Sequence, residues 1–202
     1  MSRPTNGLKY FKETLALNRP IYNCFKTCIY INESDLAVMQ PDLEGLTIIP
    51  RIKHDALDIF NKGSYDYWRS HLCADFMYCM SQAVIRYPEC ESFMWLEDDV
   101  LLHPNFESIW NSKQAFTWTK NGHGATCMIL TRDYLIESVL PILEKYYLTD
   151  CPLDFMNTHF IQETPLKQKI AFHIGVESSR LNCIRDQNDW PQYNRLAPST
   201  RM

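Results

Sequence analysis

The run Ser92-Phe93-Met94-Trp95-Leu96, followed directly by Glu97-Asp98-Asp99, constrains this chain more than any other segment. The uncharged run reads as a short strand. Successive side chains of a strand leave on opposite faces, so Met94 and Trp95 point apart and both faces need cover. Strands covered on both faces belong to sheets flanked by helices. The acidic triplet cannot share that interior, because like charges and lost hydration both oppose ionisation. The strand therefore ends at a crevice or a surface, and α/β sheets place ligands in the crevice at strand ends. A divalent cation such as Mg²⁺ or Mn²⁺ resolves the repulsion, prefers oxygen ligands and leaves positions for phosphate. Taken alone, the triplet also fits a solvated turn whose acids cap a helix starting at Pro104.

Elsewhere strands and helices alternate. Residues 1–19 are polar and weakly patterned and read as a peripheral arm. Cys24 to Ile31 reads as a strand that ends in the polar loop Asn32-Glu33-Ser34-Asp35. Residues 46–52 read as a second strand, with Pro50 marking its end or an edge. From Asp66 to Arg86, apolar residues at 68, 72, 76, 80 and 84 have helical spacing, and Tyr87-Pro88 stops the run. Pro104 opens a short helix with Phe106, Ile109 and Trp110 on its apolar face. Strands are expected at Phe116 to Trp118, Ala125 to Leu130 and Ile170 to Ile174. Helices are expected from Arg132 to Tyr147, kinked or divided by Pro141, and from Asp154 to Gln162. The predicted fold class is α/β: one domain with a mixed central sheet flanked by helices, over residues 20–181. An irregular tail follows over 182–202.

Length and composition agree with one domain. The chain has 202 residues, 46% hydrophobic and 22% charged, which excludes disorder over most of its length. A formal net charge of -4 argues against a broad grip on nucleic acid. No uncharged apolar run approaches the ~20 residues of a membrane span. The first 17 residues carry Arg3, Lys9, Lys12 and Glu13 and have no apolar core of the signal-peptide kind. The count of eight cysteines nevertheless suits an oxidising compartment. Cys24 and Cys28 lack a second ligand pair at zinc-site spacing, and Cys73 and Cys79 read as small buried hydrophobes in a helix.

Further candidates stand outside the triplet. His173 closes the last apolar strand. If the two strand ends meet, it adds a nitrogen ligand beside Asp99, a set better suited to Mn²⁺ than to Ca²⁺. A satisfied core or surface histidine is the alternative. Gly122 and Gly124 flank His123 and mark a tight backbone where a ligand could approach. Neither a dinucleotide-binding glycine fingerprint nor a P-loop is present. Asp154 follows Pro152, so it is either a helix-start cap or a general base at a pocket. Arg69 could pair with phosphate or lie on the surface, and Asp75 on the same helix needs a partner if buried.

In order, the segments Cys28 to Asp35, Tyr67 to Phe76, Trp95-Leu96-Glu97-Asp98-Asp99-Val100, Pro104-Asn105-Phe106, Gly122 to Leu130, Pro152-Leu153-Asp154-Phe155 and His173-Ile174-Gly175-Val176-Glu177-Ser178-Ser179 resemble a GT-A glycosyltransferase. The resemblance covers roughly residues 25–180. It is greatest to the N-acetylglucosaminyltransferase IV group and the related enzymes that add GalNAc to GPI-anchor glycans. It implies a GT-A, Rossmann-like domain that transfers a sugar from a UDP-sugar to a glycan or glycolipid hydroxyl with inversion. N-acetylhexosamine is the sugar it favours. In that reading Asp99 and His173 bind Mn²⁺ or Mg²⁺, and Glu97 and Asp98 contact the ribose or sugar. Arg69 and Asp75 lie near the nucleotide, Gly122 and Gly124 lie beside the donor sugar, and Asp154 is the catalytic base. Relatives of this kind work in the Golgi lumen, which suits the cysteine count and the sequon Asn32-Glu33-Ser34. A procollagen- or lipopolysaccharide-type galactosyltransferase, and a catalytically weak sugar-nucleotide or glycan-binding domain, remain alternatives. A two-metal phosphodiesterase needs more ligands than can be assigned.

Overall fold

The computed structural model describes residues 7–55, 65–110, 118–120, 127–146, 169–175, 177–178 and 183–184. The expected helix over Asp154 to Gln162 and the glycine segment at 121–124 lie outside them.

The N-terminal segment departs most from expectation. Gly7–Tyr22 is a helix, α1, with Leu15, Thr14 and Asn18 buried. Leu8, Phe11 and Leu15 recur at helical spacing and pack on the cluster of Ile29, Ile31, Met39 and Leu43. Tyr10 and Leu17 face the other way, onto Leu101, Phe172 and Ile174. The helix is thus packed on two sides. That is why its sequence shows no single apolar stripe and reads as an arm.

Strand β1 (Cys28–Ile31) pairs in parallel with β2 (Thr47–Pro50), from Cys28 opposite Thr47 to Ile31 opposite Pro50. The crossover contains α2 (Glu33–Met39) and a 3₁₀ turn at Gln40–Leu43. Asn32 caps α2: its side-chain oxygen accepts from the Asp35 N–H at 2.8 Å. Its amide nitrogen donates to the Asp35 carboxylate at 2.7 Å, so the sequon asparagine is committed to the cap. Gly45, at φ 77°, takes the left-handed turn before β2 that a side chain would strain.

Helix α3 (Tyr65–Arg86) coincides with the predicted span. Its buried line runs through Cys73, Phe76, Met80 and Ala83, while Leu72 and Val84 are only partly covered. Phe76 and Met80 thus belong to the expected face, whose centre is rotated slightly. Strand β3 (Ser92–Leu96) is antiparallel to β6 (Cys127–Thr131), which also pairs with β5 (Trp118–Lys120). The two faces of this sheet meet different clusters. Phe93, Trp95, Met128 and Leu130 face α3 and the helical segment after β6. Met94, Leu96, Cys127 and Ile129 face Val100, Leu102, Phe106 and Ile170. The alternation read from the sequence is therefore real, with cover on both sides.

Strand β4 (Val100–Leu102) has no period of its own to read and is absent from the sequence reading. It pairs antiparallel with β7 (Ala171–His173). Helix α4 (Phe106–Trp110) follows, starting two residues beyond the expected Pro104 start. After β6, α5 (Arg132–Tyr134) passes through a π-helical turn at Leu135–Val139 into α6 (Leu140–Tyr146). The Leu140 N–H bonds back to the Leu135 carbonyl. The wider turn lies immediately before Pro141, which lacks an N–H of its own, so the helix continues past the proline. A short antiparallel pair, β8 (Glu177–Ser178) and β9 (Cys183–Ile184), completes the described strands. The fold is mixed α/β, in small sheets with helices packed on them. Among the described residues no helix is long and apolar enough to cross a membrane.

Candidate metal centre and adjoining cavity

The acidic triplet forms the turn between β3 and β4. Those strands pair with different partners, so the turn sits where one small sheet hands over to another. β4 aligns with β7 so that Val100 faces His173, and the Ile174 N–H donates to the Asp99 carbonyl at 2.9 Å. This register brings His173 Nε2 to 3.0 Å from Asp99 Oδ2. Glu97, Asp99 and His173 each offer one donor atom within 4.8 Å of the others. All three are half-buried. Two carboxylates and an imidazole converging this way suit a divalent cation of Mn²⁺ or Mg²⁺ type.

Gly175 sets the wall of this centre. A Cβ placed there would collide with Asp99 Oδ2 and lie 2.9 Å from Asp99 Cγ, closer than real Cβ contacts allow, with Asp99 Cβ tight at 3.2 Å. Any side chain there would force the aspartate out of its present position. The signal was visible as the glycine two residues after His173, but its steric role needs the β4–β7 register.

Helix α1 braces the turn from the opposite side. Thr14 Oγ1 donates to the Asp98 carbonyl at 2.6 Å. Asn18 donates to the Val100 carbonyl and accepts from the Leu102 N–H, both at 2.9 Å. Beneath the turn, burial and the Glu97 carboxylate push the Cys127 thiol up to about 12. Cys73, Cys79 and Cys127 are buried, in line with the reading of the first two as small buried hydrophobes in a helix.

A cavity of about 620 Å³ opens beside the turn, lined among others by Glu97, Asp98, Asp99, Trp95, His71 and Asp75. Asp75 forms a second polar focus. Its carboxylate accepts from Tyr30 Oη at 2.8 Å, His54 Nε2 at 2.9 Å and Arg51 Nε at 3.2 Å, and pairs with the second nitrogen of Arg51. Burial alone would push its carboxyl up. The bonds from His54, Arg51 and Tyr30 outweigh burial and hold it below the usual carboxylate range. Burial and the same carboxylate push the Tyr30 phenol up. His71, mainly through burial, is held below the ordinary histidine value. His71 Nε2 and Trp95 Nε1 are buried without a hydrogen-bond partner among the described residues. Tyr30, Arg51 and His54 carry no motif, and the sequence reading did not single them out.

The structure therefore brings together Glu97, Asp99 and His173, and places Asp98 and Asp75 on the adjoining cavity. Arg69 lies on α3, and its side chain is not among the described atoms. Gly122, Gly124 and Asp154 lie outside the described residues.

Fold and site together define a mixed α/β domain with a carboxylate–imidazole centre at a strand end. No family model matches the chain, and no curated protein is detectably similar. Among solved structures, a glycosyltransferase involved in the glycosylation of the major capsid of PBCV-1 aligns with 89% of this chain and 92% of its own, at 11% identity and a TM-score of 0.47. A likeness at that level fixes neither family nor activity.

Proposed function

We propose that this chain is a metal-dependent, inverting glycosyltransferase that moves a sugar, N-acetylhexosamine by preference, from a UDP-sugar to a glycan hydroxyl. The observation that carries the reading is the convergence of Glu97, Asp99 and His173 at the end of β3, beside a cavity large enough for a nucleotide-sugar. The ordered set of segments that resembles GT-A enzymes supports it from the sequence.

Asp99 and His173 hold the cation, with Glu97 as a third donor. Mn²⁺ or Mg²⁺ bound there supplies charge stabilisation to a diphosphate leaving group. The half-buried setting strengthens that interaction relative to open water. Asp98, on the cavity wall, faces the ribose or sugar hydroxyls. Asp75 is anchored by Arg51, His54 and Tyr30, so it shapes the nucleotide end of the cavity rather than moving a proton. The buried Trp95 N–H and the buried His71 Nε2 suit polar atoms of the nucleotide. Arg69 belongs near the nucleotide, and Gly122 and Gly124 beside the donor sugar. Asp154 takes the proton of the acceptor hydroxyl as its oxygen attacks the anomeric carbon.

A thermal-shift screen of nucleotide-sugars, with and without Mn²⁺, tests the reading. A UDP-sugar is expected to stabilise the protein only when Mn²⁺ is present. Release of UDP is expected to cease in Asp99→Ala and to fall about 10²-fold or more in Asp154→Asn. Undiminished transfer in excess EDTA, or stabilisation by no nucleotide-sugar, sinks it.

A further inference from the structure

We infer that Thr14 and Gly175 are positioning residues for the Glu97–Asp99–His173 centre, so that helix α1 is a working part of the metal site. The inference rests on the metal reading above and deepens it.

Glu97, Asp98 and Asp99 lie between strands that pair with different neighbours, so no ladder runs through the turn. Its shape needs support from elsewhere. On one side, the Ile174 N–H holds the Asp99 carbonyl. On the other, Thr14 donates to the Asp98 carbonyl at 2.6 Å, a shorter contact than its 3.0 Å approach to Phe11 O on its own helix. One turn further along α1, Asn18 bonds both the Val100 carbonyl and the Leu102 N–H. Thr14 is 2% exposed and Asn18 0%. Polar side chains buried this far are costly unless their bonds are satisfied. Here the bonds go to the backbone of the turn and of the strand leaving it. Helix α1 therefore grips the segment that carries two of the three ligands.

Gly175 acts from the opposite wall. The first atom that a methyl group would meet there is Asp99 Oδ2, the ligand oxygen that faces His173, with Asp99 Cγ and Cβ close behind it. Relief requires the carboxylate to swing away from His173 Nε2, now 3.0 Å away. Thr14 sets the backbone of the turn, and Gly175 sets where the Asp99 side chain can stand.

The test is Mn²⁺ affinity, read as free Mn²⁺ by electron paramagnetic resonance, alongside thermal unfolding of the metal-free protein. Gly175→Ala is expected to weaken Mn²⁺ binding about 10- to 100-fold, the range for residues that orient ligands. Thr14→Val is expected to weaken it about tenfold, and Thr14→Ser to restore it. Leu15→Ala, on the same helix but away from the turn, is expected to lower thermal stability and leave the affinity unchanged. Wild-type affinity in both Gly175→Ala and Thr14→Val overturns the inference while leaving the metal reading intact. So does an equal loss of affinity in Leu15→Ala, which would reduce α1 to general support. No Mn²⁺ binding by the unaltered protein removes the metal reading, and the inference with it. Should Gly175→Ala fail to fold, the contrast between Thr14→Val and Thr14→Ser decides.

Discussion

At the scale of single residues, Asp75 shows how a buried carboxylate is kept charged. It is 8% exposed, yet its ring of donors, His54, Arg51 and Tyr30, favours the ionised form over the neutral one. The sign follows directly. The folded carboxyl titrates below its unfolded value of 3.8, so its contribution is complete above that value and is lost as pH falls through the folded one. Asp75→Asn is expected to cost about 1–3 kcal/mol at neutral pH, because Arg51 then keeps a desolvated charge without its carboxylate. It should also flatten the loss of stability below about pH 4. Urea unfolding at pH 7 and pH 3 measures both, and an unchanged pH dependence in the variant refutes the assignment. Asp75 was readable in the sequence as an acid that would need a partner if buried. Its partners were not, because Tyr30 comes from β1, and Arg51 and His54 from the segment after β2. No local pattern joins those three to α3.

At the scale of elements, the β4–β7 pair carries the site. Leu101 and Phe172, directly opposite in the register, are both 0% exposed and face α1 through Tyr10 and Leu17. Phe172→Ala is expected to destabilise the fold by about 3–5 kcal/mol. It should also weaken Mn²⁺ binding, since His173 leaves the same strand. A variant that unfolds at wild-type urea concentration, or binds Mn²⁺ normally when folded, counts against this coupling. Elements with a clear period were legible: α3 coincides with its predicted span, and β3 with its predicted residues. Strand β4, at three residues, is too short to carry an alternation. Strand β1 starts at Cys28 and not Cys24, because the chain is still turning out of α1, with the Cys24 N–H bonded to the Ile21 carbonyl. Pro141 was expected to kink or divide its helix. The segment is divided, by a π-helical turn immediately before the proline, and Leu135, Val139 and Leu143 pack in one cluster with Cys73, Phe76 and Met80 of α3.

For the whole molecule, ligands that bind only the folded chain report on the site. Mn²⁺ at about 100 times its dissociation constant is expected to add about 2.7 kcal/mol. For a domain of this size that raises the melting temperature by roughly 5–10 °C. EDTA should reverse the rise, and Asp99→Ala should abolish it. A Mn²⁺-induced rise that persists in Asp99→Ala would place the cation elsewhere and count against the proposed centre.

The sequence by itself determined the parts whose information is local: the strand with two apolar faces, the acidic turn at its end, the long helix and the α/β class. Side-chain period and charge repulsion act between near neighbours, so they can be read without a partner. Tertiary structure decided which parts meet. Asp99 and His173 stand 74 positions apart and touch only because β4 and β7 align in one register. Tertiary structure alone also turned the polar N-terminal segment into a buried brace, since Thr14 and Asn18 find bonding partners on the acidic turn and on β4, far along the chain. Burial makes those bonds worth having, and burial is a property of the folded chain as a whole.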